Sequence, residues 1–368
     1  MLEFWRAGGS ESNTTPDEAR RIEAEGWDGQ MFMDSQSLCA DPYARMGVWA
    51  AATQRIKLST GVTNPLTRHP AVTAAAAATI QAISRGRAIL GIGRGDSALA
   101  YLGHAPAGLS AFGRALEQLQ TLLRGGEIRF DKDESLAHAP TADTLSLGGR
   151  PTVARLQWLP KELPKVPLDV AATGPKVIEM SAPIAERVTF SVGAIPERVS
   201  WALGLARAAR KGKHLDEEGI SFGVQIIVVC HPDVEAMRAV ATGMVAPLAR
   251  FQVIQGSAAG PLGRDDDENF SAIRRGYDMT KHSMVHSNDK IKGATLSWEF
   301  VRRFAIVGPP DHCVERLLEL AALGIERFVI VGPGHHPEVR GGGGTLFASE
   351  VLPAVRLEAN RKLERTDD

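Results

Sequence analysis

Short apolar runs of β character, each followed by Gly, Pro, Ser or Thr and then by a helical pattern, recur from one end of the 368-residue chain to the other. No other feature limits the possible folds as tightly. Neighbouring parallel strands need a long crossover, and a helix supplies one, so this rhythm implies a parallel sheet covered on its faces. The runs expected as strands are Leu2 to Arg6, Gly29 to Met33, Ile56 to Val62, Ala88 to Ile92, Leu168 to Ala172, Arg187 to Ser191, Phe222 to Cys230 and Arg327 to Val331. Eight such units fit an α/β fold of the (β/α)8 TIM barrel type, spanning residues 1–368 as one domain. In that fold, reactive groups stand at the C-terminal ends of the strands.

Helix boundaries carry their own chemistry. Thr15-Pro16 with Glu18 reads as a capping box, and Gly26 as the stop of that helix. Asp41-Pro42 opens the second helix, Pro70 to Ile83 forms the third, and Leu109 to Leu123 ends at Gly125-Gly126. Asp311 to Leu323 and Leu346 to Leu357 give the last two. Two stretches break the rhythm. Phe130 to Pro167 and the polar Gly256 to Ser297 read as long insertions at the C-terminal mouth that shape a substrate pocket, since loops of this length are commonly functional. Gly341 to Gly344 reads as a flexible loop.

Composition narrows the function. With 44% hydrophobic residues the chain can bury a large core without disulfides or metal. Forty-two Lys and Arg against 43 Asp and Glu give a net charge of −1, which offers no general attraction to nucleic acid or to an anionic membrane. No run approaches the roughly 18 apolar residues of a membrane helix, and Met1 to Arg6 does not resemble an export signal. A cytoplasmic protein is expected. Cys39, Cys230 and Cys313 lie far apart, without metal-ligand spacing, and read as free thiols, so no metal site is expected.

Candidate chemistry follows the strands. Asp34, after the second strand, can hold a cofactor hydroxyl, take a proton or cap the next helix. Thr60-Gly61-Val62 after the third offers a patch of backbone that a flat ring can approach, because Gly has no Cβ. His69 titrates near neutrality but also stands where a helix begins. Gly91 to Ser97 forms a glycine-rich turn that can present N–H groups to a ligand edge without matching the dinucleotide fingerprint. Within it Asp96 is the strongest general acid–base candidate. Thr173, Gly174, Ser191 and Gly193 offer small groups suited to a phosphate or ribityl tail, and Lys176 can neutralise a phosphate. Arg303 suits a salt bridge or a cofactor contact; His282 and His286 read as surface residues or as substrate-facing ones.

Taken in order, Asp34-Ser35-Gln36, Thr60 to Pro70, Gly91 to Ser97, Ala171 to Pro175 and Arg303-Phe304 through Val331-Gly332-Pro333 resemble the bacterial-luciferase-like family of flavin-dependent oxidoreductases. Within it they are similar to the coenzyme F420-dependent branch that includes methylenetetrahydromethanopterin reductase. The resemblance implies a ring lying at the barrel mouth over a bulge in the third strand, here Gly61-Val62, with a non-proline cis peptide. It implies cofactor contacts from Asp34, Thr60, Gly61, Val62, Gly95, Asp96, Ser97, Thr173, Gly174, Pro175, Lys176, Ser191, Val192 and Gly193. In sugar-phosphate dehydrogenases of this branch a His follows the strand-two Asp; here that position is Ser35.

The expected activity is hydride transfer between coenzyme F420 and a small organic substrate, with Asp96 as proton carrier assisted by Asp34 or His69. An FMN-dependent monooxygenase on the same scaffold is the alternative, and a non-catalytic flavin-binding subunit a third reading. The resemblance also implies a homodimer.

Overall fold

The structure, a computed structural model, describes residues 2–8, 14–130, 139–282, 296–332 and 346–364. Strands β1 (Glu3–Ala7), β2 (Gly29–Phe32), β3 (Lys57–Thr60) and β4 (Ala88–Ile92) alternate with helices α1 (Pro16–Ala24), α2 (Pro42–Ala52) and α3 (Pro70–Ser84). A short α4 (Ser97–Ala100) and α5 (Leu109–Leu123) lead to the antiparallel pair β5 (Ile128–Arg129) and β6 (Val153–Ala154). Then come β7 (Leu168–Ala172), α6 (Pro175–Ser181), β8 (Arg187–Phe190), α7 (Pro196–Lys211) and β9 (Ser221–Cys230). Helices α8 (Arg238–Ala249), α9 (Arg264–Gly276) and α10 (Trp298–Phe304) precede β10 (Ile306–Gly308), α11 (Pro310–Ala322), β11 (Arg327–Val331) and the closing α12 (Leu352–Glu364).

The strands close in the order β1-β2-β3-β4-β7-β8-β9-β11 and back to β1, every pairing parallel. This is the eight-stranded (β/α) barrel expected from the rhythm. The short β10 adds a ninth strand beside the upper half of β9, with Ile306 opposite Val228. Helix starts follow the local signals: Thr15 Oγ1 accepts from the Glu18 amide at 3.2 Å, and Asp41 accepts from the Ala44 amide at 3.0 Å.

Alternate residues of each strand face the lumen or the helices. Outward residues such as Phe4, Leu58, Leu90 and Phe328 build the main core against the helices, and Trp5, Met31, Ile89 and Val329 pack inside the barrel. Below them the lumen is ionic. Fully buried Arg327 meets Asp169 Oδ2 at 3.2 Å, Thr189 donates to Asp169 Oδ1 at 2.8 Å, and Arg187 meets Glu3 at 2.7 Å. Lys57 binds the other oxygen of Glu3.

Two expectations about the insertions need correction. The described residues of the Phe130 to Pro167 stretch do not lie over the mouth. Helix α5 runs back from the mouth, so the segment after it leaves at the N-terminal face and enters β7 there; Gln81, in the last turn of α3, donates to the Pro164 carbonyl at 3.0 Å. Any helix-to-strand connection in such a barrel is confined to that face, opposite the strand-to-helix loops that carry active sites. The described part of the second insertion does lie at the mouth but is not irregular. It contains α9, whose apolar residues Phe270 and Ile273 join Val245, Phe300 and Phe304 in a separate buried core. The run Gly341 to Gly344 lies outside the described residues.

Candidate active site

A cavity of about 980 Å³ opens at the C-terminal ends of the strands, its floor reaching Asp169 and its far wall built by the α8 to α9 segment. Most of the residues expected at the site meet here, and no described residue of the 124–167 segment does. Strand β3 ends in Gly61 and Val62, joined by a cis peptide bond, and both line the cavity. A Cβ on Gly61 would stand 2.7 Å from the Met31 Cβ, so glycine is required there by the neighbouring strand itself. Gly174 differs: nothing stands within 4 Å of where its Cβ would be, so its bare backbone leaves open space. Thr173, Pro175, Lys176 and Ser191 lie beside it; Lys176 is exposed at the rim, and Ser191 donates to Gln225 at 2.9 Å.

Asp34 is buried at the wall and ion-paired with Arg68 at 2.5 Å; Arg68 also grips Asp41, the cap of α2, at 2.6 Å. Across the mouth, the β4 turn places Gly95 in a left-handed conformation, with φ at +84°. Asp96 and Ser97 follow, both on the cavity wall, and Ser97 is linked to Ser35 by a hydroxyl contact of 3.1 Å.

Asp96 is the most unusual group of the site. Arg250, at the end of α8, pairs with its Oδ2, whereas Oδ1 is buried and accepts no hydrogen bond. Burial raises the carboxyl above its ordinary value, and the Arg250 guanidinium and the Ser97 amide only partly oppose this. Arg250 is itself wedged between the rings of Phe251, at 4.5 Å, and Tyr277, at 5.4 Å. His282 Nε2 lies 3.4 Å from its Nη2, and His282 Nδ1 lies 2.7 Å from the Tyr277 hydroxyl. Burial pushes the Tyr277 phenol up to about 12, despite the nearby guanidinium.

Four expected site residues are placed elsewhere. Thr60 is fully buried beneath the cavity, its hydroxyl donating to the Gly91 carbonyl at 2.6 Å. Val192 belongs to the core, and Gly193, with φ at +82°, packs on Phe304. His69 caps α3, its Nδ1 accepting from the Ala71 amide at 3.0 Å, and does not line the cavity. Arg303 makes a salt bridge, to Asp266 at 2.9 Å. His282, by contrast, is half-buried against the cavity and not on the surface; His286 lies outside the described residues. Sequence reasoning missed Arg250, Tyr277 and the apolar wall of Met244, Leu248 and Phe251. An Arg-Phe pair closing an apolar helix is a slight signal, and the partner of that Arg lies 154 residues away.

The profile of the luciferase-like monooxygenase family matches residues 5–327. The chain belongs to that family. The 5,10-methylenetetrahydromethanopterin reductase of Methanolobus tindarius is 25% identical over 341 residues, covering 91% of this chain and 94% of the relative. The F420-dependent glucose-6-phosphate dehydrogenase of Microbacterium testaceum is 26% identical over 331 residues, covering 84% and 82%. Among solved structures, the coenzyme F420-dependent tetrahydromethanopterin reductase of Methanopyrus kandleri superposes with a TM-score of 0.67 at 20% identity, covering 96% of this chain and 99% of that one. This likeness supports the barrel assignment independently of the strand pattern.

Proposed function

We propose that the chain transfers a hydride between coenzyme F420 and a small organic substrate in the mouth cavity, with Asp96 exchanging the accompanying proton. The observation that carries this reading is Asp96 Oδ1, a buried acceptor without a donor, standing at the wall of a 980 Å³ cavity. A buried polar atom left unmatched is costly, and sites for proton exchange are where such atoms are retained. Two similar proteins, the glucose-6-phosphate dehydrogenase and the tetrahydromethanopterin reductase, are F420-dependent by name.

The residues present fit the cofactor. The open backbone at Gly174 gives a flat group room to approach, Gly61 and Val62 line the same cavity, Thr173 and Ser191 offer hydroxyls, and Lys176 at the rim suits an anionic tail. Bound there, the deazaflavin would supply a carbon that gives or takes a hydride and reacts poorly with oxygen. The chain does the rest. Asp34, fixed by Arg68, orients the bound group from one side. Met244, Leu248 and Phe251 exclude water from the other. Asp96 holds or receives the proton at Oδ1, and its raised proton affinity brings it nearer to the balance that acid–base catalysis needs at neutral pH.

Fluorescence titration with F420 and with FMN tests the reading. Saturable binding of F420 with none of FMN is expected; tight FMN binding with no F420 binding would overturn it in favour of the monooxygenase alternative. We also read the chain as a cytoplasmic homodimer. Its cysteines are all free thiols, as suits a reducing compartment, and exposed Leu66, Val72 and Ile83, on or just before α3, offer apolar surface to a second copy. Light scattering at twice the chain mass is the expected result.

A further inference from the structure

We propose that Arg250 is the positioning residue of Asp96: it holds one carboxylate oxygen from the cap side of the cavity and leaves the other for proton exchange. The inference deepens the reading of the cavity as a redox site and rests on it for the role of Asp96.

The geometry is asymmetric. Arg250 reaches Asp96 through Nη2 alone and touches only Oδ2, while Asp96 Oδ1 is buried without a side-chain donor. An Arg serving only stability would be expected to fork onto both oxygens, which is the stronger arrangement. Here the guanidinium lies instead against two aromatic rings, Phe251 at 4.5 Å and Tyr277 at 5.4 Å, and the Tyr277 hydroxyl also bears on it. The atom left over on the carboxylate is the one without a donor.

The surroundings of Arg250 fix a proton arrangement. A guanidinium only donates, so His282 Nε2 at 3.4 Å acts as an acceptor. Its ring proton is then on Nδ1, which donates to the Tyr277 oxygen at 2.7 Å. Arg250 is the cation facing the carboxylate. The charged or titratable side chains that bear on Asp96 or on its arginine include Arg250 from α8, His282 and Tyr277 from the segment after α9, and, beside Tyr277, Tyr101 just after α4. Tyr101 is held to that same segment by donating to the Met279 carbonyl at 3.0 Å. The pair thus joins the β4 turn of the barrel to the helical cap.

Infrared titration of the full-length chain, with and without F420, tests this without knowledge of the substrate. The carboxylic-acid carbonyl band lost in Asp96→Asn is assigned to Asp96. In Arg250→Met that band should persist to a pH about 1 to 3 units higher than in the unmodified protein, the usual effect of removing an adjacent cation, and added ethylguanidinium should restore the lower midpoint. A merely structural Arg250 would move neither. An unchanged midpoint in a folded Arg250→Met would overturn the proposal. A second measurement needs no Arg250 variant: the guanidinium 15N signals of Arg250 should shift with the same midpoint as the Asp96 band, and signals that stay constant through it would also overturn it. Loss of F420 binding would sink the functional reading and leave both measurements intact.

Discussion

The Arg–Asp pair in the floor of the lumen and the one at Asp96 in the mouth are built differently. In the floor, both oxygens of Asp169 are matched, one by Thr189 and one by Arg327, with Arg187 3.7 Å away. At the mouth, Asp96 has one oxygen matched and one left without a donor. The floor residues come from strands, whose lumen-facing positions are fixed by the sheet. The mouth pair joins a turn to a separate helical layer. Matching both oxygens makes an ion pair part of the scaffold; leaving one free keeps the carboxylate able to react.

The largest expected effect breaks the floor. Asp169→Ala would leave fully buried Arg327 and nearby Arg187 without their shared anion, and removing one partner of a buried pair typically costs about 3–5 kcal/mol. Urea unfolding measures that loss, and a change near zero would show that the floor pair is dispensable. At the mouth, Asp96→Asn keeps the shape but removes the proton carrier. Turnover should fall by about 100-fold to 10,000-fold, read by F420 absorbance, with native circular dichroism retained. Unchanged turnover would favour the non-catalytic reading.

Two glycines sharpen the contrast on a smaller scale. Gly61→Ala drives a methyl group into Met31 and should cost about 1–3 kcal/mol, as overpacking does. Gly174→Ala places its methyl in open space, so its stability should change by less than about 0.5 kcal/mol. Its F420 affinity, followed by fluorescence, should nevertheless fall.

The smallest effects are opposite pH slopes. Burial works to raise the Glu3 carboxyl, but Arg187, Lys57 and Trp5 outweigh it and hold it at about 2, below the ordinary 4.5. Its contribution to stability is therefore present above 4.5 and lost as pH falls toward 2. The difference between the unmodified protein and Glu3→Gln in urea unfolding should vanish over that range. Asp96 is shifted the other way from its ordinary 3.8, chiefly by burial. The native state then binds its proton more tightly than the unfolded chain does. Relative to Asp96→Asn, the unmodified protein should lose stability as pH rises from 3.8 through the folded value; a slope of the opposite sign would show that the guanidinium dominates.

Much of the barrel was legible because its signals are local. Ala88 to Ile92 and Leu168 to Ala172 are strands with the expected limits, since a run of branched and small apolar residues bounded by Gly or Pro has few other uses. Asp34, Gly61, Gly95, Asp96 and Gly174 come to the mouth because they follow strands, and a parallel barrel brings all strand ends together. The same rule overreached at Thr60, Val192 and Gly193, where facing inward or outward depends on the last turn of backbone. His69 satisfied a helix amide. Helix α9 was hidden by its charge, since Arg264 to Glu268 is wholly polar and its few apolar residues serve a core that exists only once α8 and α10 pack beside it.

By itself, then, the sequence determined the eight barrel strands, their parallel closure and the position of a carboxylate at the end of the fourth, because periodicity and punctuation act between neighbours. Only the tertiary structure decided which face each insertion covers and that Arg250 closes on Asp96 across 154 residues. Contacts of that kind depend on where separate elements come to rest, and no local pattern encodes the distance between them.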